Sequence, residues 1–172
     1  EKGLEQATRS GVPQGGPLSV VLSNGYLDKI DKELEQRGLR FTRYADDTMV
    51  FTKSEMAANR VMKSITDWIE RKLFLKVNVT KTKVVRPTRS KYLGFTFLKS
   101  GGEWKVKPTT EKKKKLKKKL SEYLKRSKAI ARPLAVTIKR VNEIVRGWIN
   151  YFRIGMMKGF MDDFGQWLRH KI

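Results

Sequence analysis

The sequence predicts an α+β fold in which a mixed part of helices and short strands, to about residue 108, precedes a basic, all-helical part. Short runs rich in β-branched and aromatic residues, bounded by turn residues, lie in the first part and are typical of strands. Apolar residues at helical spacing dominate the second part. The charge divides in the same region: 19 basic and 11 acidic residues give residues 1–100 a net charge of +8, whereas 20 basic and 6 acidic residues give residues 101–172 a net charge of +14.

The composition excludes several classes of protein and favours a polyanionic partner. The 172 residues carry a net charge of +22 and are 39% hydrophobic, which suffices for a core and is unlike a disordered chain. Because such a charge strains a compact chain unless an anion neutralises it, nucleic acid is the leading partner and an anionic membrane surface the second. The absence of cysteine excludes a disulfide framework, a thiolate zinc site and a cysteine nucleophile. His170 alone cannot form a histidine cluster, and no apolar run approaches the length of a membrane span.

The first predicted elements are a loop and a helix. Glycine and proline make residues 11–19 a loop, and the helix after it is expected to run to about Arg37 and to end at Gly38. Four apolar residues are predicted to form its inward face: Leu22, Leu27, Ile30 and Leu34.

A hairpin and a second helix are predicted next. Residues 39–44 and 48–52 are strand-like and are separated by three residues only, which is typical of a β-hairpin. Ser54 is a suitable N-cap for a helix that continues to about Phe74. Four apolar residues recur there at helical spacing: Val61, Ile65, Trp68 and Ile69. Short strands are then predicted at Val77, at residues 82–85 and at residues 92–98, the last paired with residues 104–106.

Three helices are predicted in the second part. An apolar stripe on a lysine-rich helix predicts the first: Leu116, Leu120, Tyr123 and Leu124. Pro133 suits the first turn of the second helix. Its apolar residues step by four and three positions: Leu134, Ile138, Val141, Val145, Trp148 and Phe152. The third helix is predicted from Met161, Phe164, Trp167 and Leu168.

The most informative segment is Arg43-Tyr44-Ala45-Asp46-Asp47. Two adjacent carboxylates at a hairpin turn repel each other unless a cation lies beside them. Magnesium prefers hard oxygen ligands, and two such ions can stabilise the attacking and leaving oxygens of a phosphoryl transfer. The pair therefore predicts a magnesium site, with an ordinary Asp-containing turn as the alternative.

Five motifs in order extend this prediction to a family. The segments GVPQGGPLS, NGYLD, RYADD, LKVNVTKTKVV and YLGF resemble those of reverse transcriptases, and the later RGWINYF resembles the group II intron maturase branch. The resemblance implies a partial palm domain at residues 1–108, with a small antiparallel sheet packed on helices. It implies a helical thumb, or maturase-specific, domain at residues 109–172. The implied activity is RNA-directed DNA synthesis with two Mg²⁺ ions, together with assistance of intron RNA splicing.

The same resemblance implies a set of site residues. Asp46 and Asp47 correspond to the catalytic and metal-binding carboxylates of the palm, with Asp46 the more direct ligand. Lys81 corresponds to a catalytic lysine proposed to meet the departing pyrophosphate, and a solvated surface charge is the alternative for this residue taken alone. Seven residues correspond to nucleotide-binding and primer-binding positions: Gln14, Gly15, Gly16, Tyr44, Ala45, Leu93 and Gly94. The implied partners are group II intron RNA, an RNA template with a DNA primer, and dNTPs, and a homodimer is left open. The implied location is a cytoplasmic nucleoprotein of a bacterium, with an organelle as the alternative.

The basic helices predict the surface that binds nucleic acid. Residues 112–119 hold seven lysines in eight positions, and Arg146 lies beside the aromatic residues of RGWINYF. The predicted nucleic-acid contacts are Lys112, Lys113, Lys114, Lys115, Lys117, Lys118, Lys119 and Arg146. A solvated lysine tract is the alternative, and membrane binding ranks third because the apolar stripe is narrow. Trp148 and Phe152 are expected in the core because of their spacing.

The sequence departs from the family pattern at its beginning. The family palm carries a further metal-binding aspartate upstream of the PQGG loop, but residues 1–10 contain no Asp. The chain opens on Glu1 without a signal-peptide pattern, so we expect a piece of a longer protein. These 172 residues are therefore expected not to polymerise alone. The alternative function is a noncatalytic RNA-binding splicing factor derived from a reverse transcriptase.

Overall fold

The computed structural model describes residues 16–172, which fall into two compact units that divide between Val84 and Val85. Each unit combines helices with a two-stranded antiparallel sheet, which confirms the predicted α+β class. The division falls before the second hairpin, so this hairpin and the basic helices lie in one unit. The predicted boundary near residue 108 concerns family domains rather than compact units and stays a prediction.

The first unit opens with α1 (Pro17–Gln36), in which a proline at the first position supplies a helical φ. Gly38, at φ 63°, ends the helix: its N–H donates to Glu35, and the N–H of Leu39 donates to Leu34, the pairing of a Schellman motif. On the predicted inward face, Leu34 and Ile30 are buried and Leu27 packs against them. The prediction for Leu22 was wrong, because this core is built around the second half of the helix and Leu22 is 59% exposed.

The predicted hairpin is confirmed as β1 (Arg40–Tyr44) and β2 (Asp47–Phe51). The second helix is α2 (Glu55–Leu73), and the Ser54 side chain accepts a hydrogen bond from the Ala57 N–H, as the capping prediction requires. Three of its apolar residues pack with Leu73 on the core of α1: Ile65, Trp68 and Ile69.

The strands predicted after α2 do not form at Val77 or at residues 82–85. Between these positions Asn78 forms a turn: its side-chain oxygen accepts from the N–H groups of Thr80 and Lys81, and its carbonyl accepts from the N–H of Thr82. This side-chain turn competes with a strand for the backbone donors. The apolar and β-branched residues around it therefore signalled extended chain rather than a paired strand.

The second unit begins with a single 3₁₀ turn at Pro87–Arg89, followed by β3 (Phe95–Ser100) and β4 (Glu103–Pro108). These strands pair in the predicted way, across a turn in which Gly101 and Gly102 have φ values of 61° and 81°. The strand does not begin at residue 92, as predicted. Tyr92 pairs with Phe95 in an isolated bridge, and the two residues between them form a turn.

The three predicted helices of this unit are α3 (Thr110–Tyr123), α5 (Leu134–Phe152) and α6 (Lys158–Arg169), with a short α4 (Arg126–Ala129) between the first two. Their buried contacts come from Leu116, Leu120, Val141 and Phe164. Trp148 packs against this cluster and Phe152 is 3% exposed, which confirms both as core residues. Leu134 and Ile138 are 64% and 40% exposed, so the first two positions of the predicted α5 stripe were wrong. None of the described helices is both long and apolar enough to cross a membrane.

Thr137 lies in the α5 core with its hydroxyl buried and without a hydrogen-bond partner in the described residues. We expect Thr137→Val to raise the free energy of unfolding by about 1 kcal/mol, because it removes an unsatisfied hydroxyl at nearly constant volume. Thr137→Ala is the control, since it removes the same hydroxyl but also a methyl group and leaves a cavity. Urea denaturation measures both, and a Thr137→Val protein less stable than the parent would contradict the expectation.

Candidate functional site

The carboxylate turn, residues 44–47, is tighter than predicted. Tyr44 pairs with Asp47 across the hairpin, so only Ala45 and Asp46 form the loop and Asp47 is the first residue of β2. All four side chains are exposed, Tyr44 to 65%. The two carboxylates therefore follow one another at the tip of a two-residue turn, where solvent and a ligand can reach them.

Ala45 has a φ of 53°, in the left-handed region that costs a residue with a Cβ atom free energy. Two-residue hairpin loops need a positive φ at their first position, and Asn, Asp or Gly usually supplies it. Such outliers persist where the surroundings hold them in place. The turn is thus a strained segment that needs support from its neighbours.

Arg43 supplies that support. Its guanidinium donates two hydrogen bonds to the carboxylate of Asp31 on α1, at 2.8 and 2.6 Å, and one to the carbonyl of Ala45, at 3.0 Å. A fourth contact reaches the side-chain oxygen of Asn24, at 3.3 Å. A bidentate arginine–carboxylate pair is geometrically specific, so this brace ties the turn to α1.

The sequence reasoning did not identify Asn24 or Asp31 as parts of this site. They are seven residues apart and therefore lie on one face of α1, which was an available signal. Tyr26, of the same NGYLD segment, donates its hydroxyl proton to the carbonyl of Leu73 at 2.5 Å and so ties α1 to the end of α2. The motif residues of α1 thus hold the turn and the helix beyond it.

The exposed carboxylates of Asp46 and Asp47 offer the hard oxygen donors that Mg²⁺ prefers. Their chemistry fits such an ion, but they provide only two carboxylates. Among residues 16–172 no group of three or more His, Cys, Asp or Glu residues is placed to hold a metal. A complete metal site would therefore need a further ligand from outside the described residues or from a substrate phosphate.

The other predicted residues of the first unit lie at different places. Lys81 is exposed in the turn that Asn78 stabilises. Gly16 is the N-cap of α1 and has an extended backbone, with φ −68°. Gln14 and Gly15 lie outside the described residues.

Leu93 and Gly94 form a left-handed turn rather than the predicted strand, with φ values of 50° and 83°. The hydroxyl of Tyr151 on α5 donates to the carbonyl of Leu93 at 2.9 Å, and the N–H of Thr109 donates to the carbonyl of Gly94 at 2.9 Å. A Cβ atom at Gly94 would lie 2.9 Å from the Lys112 side chain and 3.3 Å from the Phe152 ring, so these side chains would have to shift, and the φ of 83° would strain any larger residue. The YLGF and RGWINYF segments are therefore parts of one packed structure.

We expect Tyr151→Phe to lower the free energy of unfolding by about 1 kcal/mol, since it removes one hydrogen bond and keeps the ring. The ring still stacks on Phe95, whose centroid lies 5.9 Å away. Tyr123→Phe is a matched control, because it also removes a tyrosine hydroxyl from this unit and keeps the ring, which packs under Arg132 at 4.7 Å. Chemical denaturation of both variants measures the effect, and equal stabilities would contradict the assigned bond.

The lysine helix α3 presents its charges on two different faces. Lys113 and Lys117 are half-buried and lie over the rings of Phe160 and Trp167 on α6, at 4.9 and 5.4 Å from the ring centroids. Burial lowers the pKa of Lys113. The other lysines of the tract are exposed: Lys112, Lys114, Lys115, Lys118 and Lys119. The predicted contact set is thus divided between a packed face and a free face.

Thr109 accepts a hydrogen bond from the Lys112 N–H and caps α3, and Glu111 lies in its first turn, where an acidic side chain complements the helix dipole. Arg146 is exposed on α5, next to a shallow depression that Ile138 and Asn142 also line. Exposed cations on α3 and α5 therefore give the second unit a positively charged surface, as the charge distribution along the sequence predicts.

Comparison with known families agrees with the order of these features along the chain. Residues 1–97 match the family model described as reverse transcriptase (RNA-dependent DNA polymerase), and residues 113–172 match the model described as group II intron, maturase-specific domain. A search of curated proteins found no match. The first match covers more than half of the 172 residues. The chain therefore belongs to the reverse transcriptase family and, because the maturase-specific domain follows, to its group II intron branch.

Proposed function

We propose that the carboxylate turn is the catalytic centre for RNA-directed DNA synthesis in an intron-encoded reverse transcriptase that also assists splicing. The observation that carries the proposal is the braced turn itself. Two adjacent, exposed carboxylates lie at a strained hairpin that Arg43 holds, in a chain whose net charge is +22. Magnesium is usually held by one or two carboxylates together with substrate phosphates, and this turn offers two carboxylates that a substrate can reach.

In this proposal Asp46 and Asp47 hold Mg²⁺, with Asp46 the more direct ligand. Bound magnesium would stabilise the charge on the reacting phosphate and activate the primer hydroxyl. Tyr44 and Ala45 lie beside the carboxylates along the chain and line the primer end. Lys81, exposed in its turn, stabilises the departing pyrophosphate.

The remaining site residues position the substrates. The loop with Gln14, Gly15 and Gly16 shapes the pocket for the nucleotide and template. The left-handed turn of Leu93 and Gly94 contacts the primer, and its attachment to α5 couples that contact to the helical domain. The exposed lysines of α3 and Arg146 bind the phosphates of intron RNA and of the template–primer duplex.

A second candidate function is a noncatalytic splicing factor that retains the fold of a reverse transcriptase. One observation favours it: the described residues provide two carboxylates at the turn and no metal-binding group of three. A factor of this kind would bind intron RNA through α3 and α5 and would not need Asp46. For the proposed synthesis, the family pattern implies that a further aspartate from outside the described residues completes the metal site.

We expect these 172 residues alone to give no RNA-templated primer extension with Mg²⁺ above the level of an Asp46→Ala, Asp47→Ala control. A longer protein that adds the fingers and a palm strand with an aspartate should extend the primer. Primer extension on an RNA template measures both. Clear extension by the 172 residues would contradict the expected need for a third carboxylate. A longer protein that does not extend the primer would contradict the proposed function.

A further inference from the structure

We infer that a basic groove on the first unit is a second binding site for the phosphate backbone of RNA, separate from the carboxylate turn and from α3. The groove lies between the end of α1 and one face of α2. Its lining residues are Arg37, Arg60, Lys63, Ser64, Asp67, Trp68, Arg71 and Lys72. Neither the motifs nor the family matches assign a role to this groove.

The groove is formed by helical spacing. Arg60, Ser64, Asp67 and Arg71 recur by four and three positions, so they follow one face of α2 over three turns. Four lining cations on α2, including the neighbouring Lys63 and Lys72, are exposed. These four cations are spread over residues 60–72, so they suit several phosphates of a nucleic-acid strand rather than a single small anion.

The charges in the groove are unbalanced. Five of the eight lining residues are basic and only Asp67 is acidic. Even with Glu33, whose carboxylate pairs with Arg37 at 2.5 Å, the groove keeps an excess of three positive charges. Arg60 and Lys63 lie three positions apart on α2, a spacing at which like charges repel, so an anionic ligand would relieve a repulsion that is present in the free protein.

Arg37 is held in place for such a ligand. Its guanidinium donates to Glu33 at 2.7 Å and to the Ser64 hydroxyl of α2 at 2.6 Å. The bond to Glu33 orients the side chain along α1, and the bond to Ser64 holds its guanidinium beside the groove. An arginine held in this way loses little further conformational entropy when it meets a phosphate.

The chemistry of the groove favours RNA over a lipid surface. Membrane binding by a helix requires an apolar face beside the cations. The aromatic residue of this groove, Trp68, is half-buried and packs on the core of the unit, so it cannot insert into a bilayer while the unit stays folded. Trp68 lines the groove together with five cations, a combination of aromatic and basic residues that suits a nucleotide strand.

The test is the salt dependence of RNA binding by the full chain, measured by the fluorescence anisotropy of a labelled oligouridylate of about 20 nucleotides. The groove variant is Arg60→Gln, Lys63→Gln, Arg71→Gln. The matched control is Lys53→Gln, Lys76→Gln, Lys83→Gln, which removes three exposed charges from the same unit. A charge-preserving variant, Arg60→Lys, Arg71→Lys, and vesicles of phosphatidylserine and phosphatidylcholine complete the set.

We expect the groove variant to lower the slope of log K against log salt by about 2 and the affinity at low salt by about 10- to 100-fold. The charge-preserving variant should keep the slope, and the control should change it by less than about 0.5. If the triple variant unfolds at a lower temperature than the parent protein, single variants replace it, each with an expected change of about 0.7 in slope. Equal losses in the groove variant and the control, or a loss confined to the vesicles, would overturn the inference. Such a failure would leave the proposed synthesis untouched, because none of these residues lies in the carboxylate turn.

Discussion

Replacing Asp46 by alanine in a protein competent for synthesis is expected to lower RNA-templated primer extension by about 1,000-fold or more. Loss of one metal ligand removes several kcal/mol of stabilisation from the charge that develops on the phosphate, and each 1.36 kcal/mol is about tenfold in rate. The fold should survive, because Asp46 is exposed and Arg43 binds the carbonyl of Ala45 rather than the Asp46 side chain. RNA affinity should therefore stay near that of the parent protein.

The chain offers a matched control for this loss. Asp162 and Asp163 form a second adjacent acidic pair, exposed on α6. Asp162→Ala removes one carboxylate from that pair and should leave synthesis unchanged. Single-turnover extension rates, with RNA binding measured in parallel, compare the two variants. Equal rates for Asp46→Ala and the parent would contradict the role of the turn.

The same variant separates the two proposed functions. If the chain belongs to a polymerase with a splicing role, Asp46→Ala should abolish synthesis and leave splicing assistance intact. If it belongs to a noncatalytic splicing factor, the parent should show no synthesis to lose. An intron-splicing assay beside primer extension distinguishes these results, because we expect splicing assistance to depend on RNA binding rather than on the carboxylates.

The secondary-structure elements were predicted well where they depend on residues that are close along the chain. The Ser54 cap, the Gly38 stop and the lysine helix with Leu116 and Leu120 all agree with the structure. Each depends on residues within about one or two turns of each other, and this is the range over which sequence spacing determines contacts. The hairpin around Asp46 belongs to the same class, since its strands adjoin along the chain.

The misplaced elements depend on contacts that spacing does not reveal. Leu93 takes a left-handed backbone that leucine rarely adopts, and its carbonyl is bound by a tyrosine 58 positions away. Ala45 has the same kind of backbone, held by Arg43. At Leu22 and Leu134 the apolar spacing continues beyond the described core, so an amphipathic pattern predicted burial where the side chains are exposed.

The lysine tract shows that a sequence can locate a candidate binding site without identifying which of its residues are free to contact the ligand. Seven lysines in eight positions indicate a polyanion-binding helix, but all seven look alike in the sequence. Their division depends on α6, whose aromatic residues cover two of them. Only the packed structure separates lysines that support the fold from lysines that are free to meet phosphate.

This division predicts opposite effects from two variants of equal charge. Lys115→Gln, Lys119→Gln removes two exposed lysines four positions apart on α3. Lys113→Gln, Lys117→Gln removes two lysines at the same spacing from the face that packs on Phe160 and Trp167. Both variants lower the net charge by two, so a nonspecific effect of charge would be the same for each.

We expect the exposed pair to lower RNA affinity about 10-fold at moderate salt and to reduce the salt slope by about 1.4, with unchanged stability. The packed pair should instead lower the free energy of unfolding by about 1–2 kcal/mol, because each ammonium loses a cation–π contact and each stem loses packing area. Its slope should change by less than about 0.5, since a lysine over an aromatic ring is not free to displace a counterion. Anisotropy titrations over a salt series and urea denaturation measure the two effects. Equal slopes for the two variants would show that the whole tract acts as an undifferentiated charge and would contradict the assignment of α3 faces.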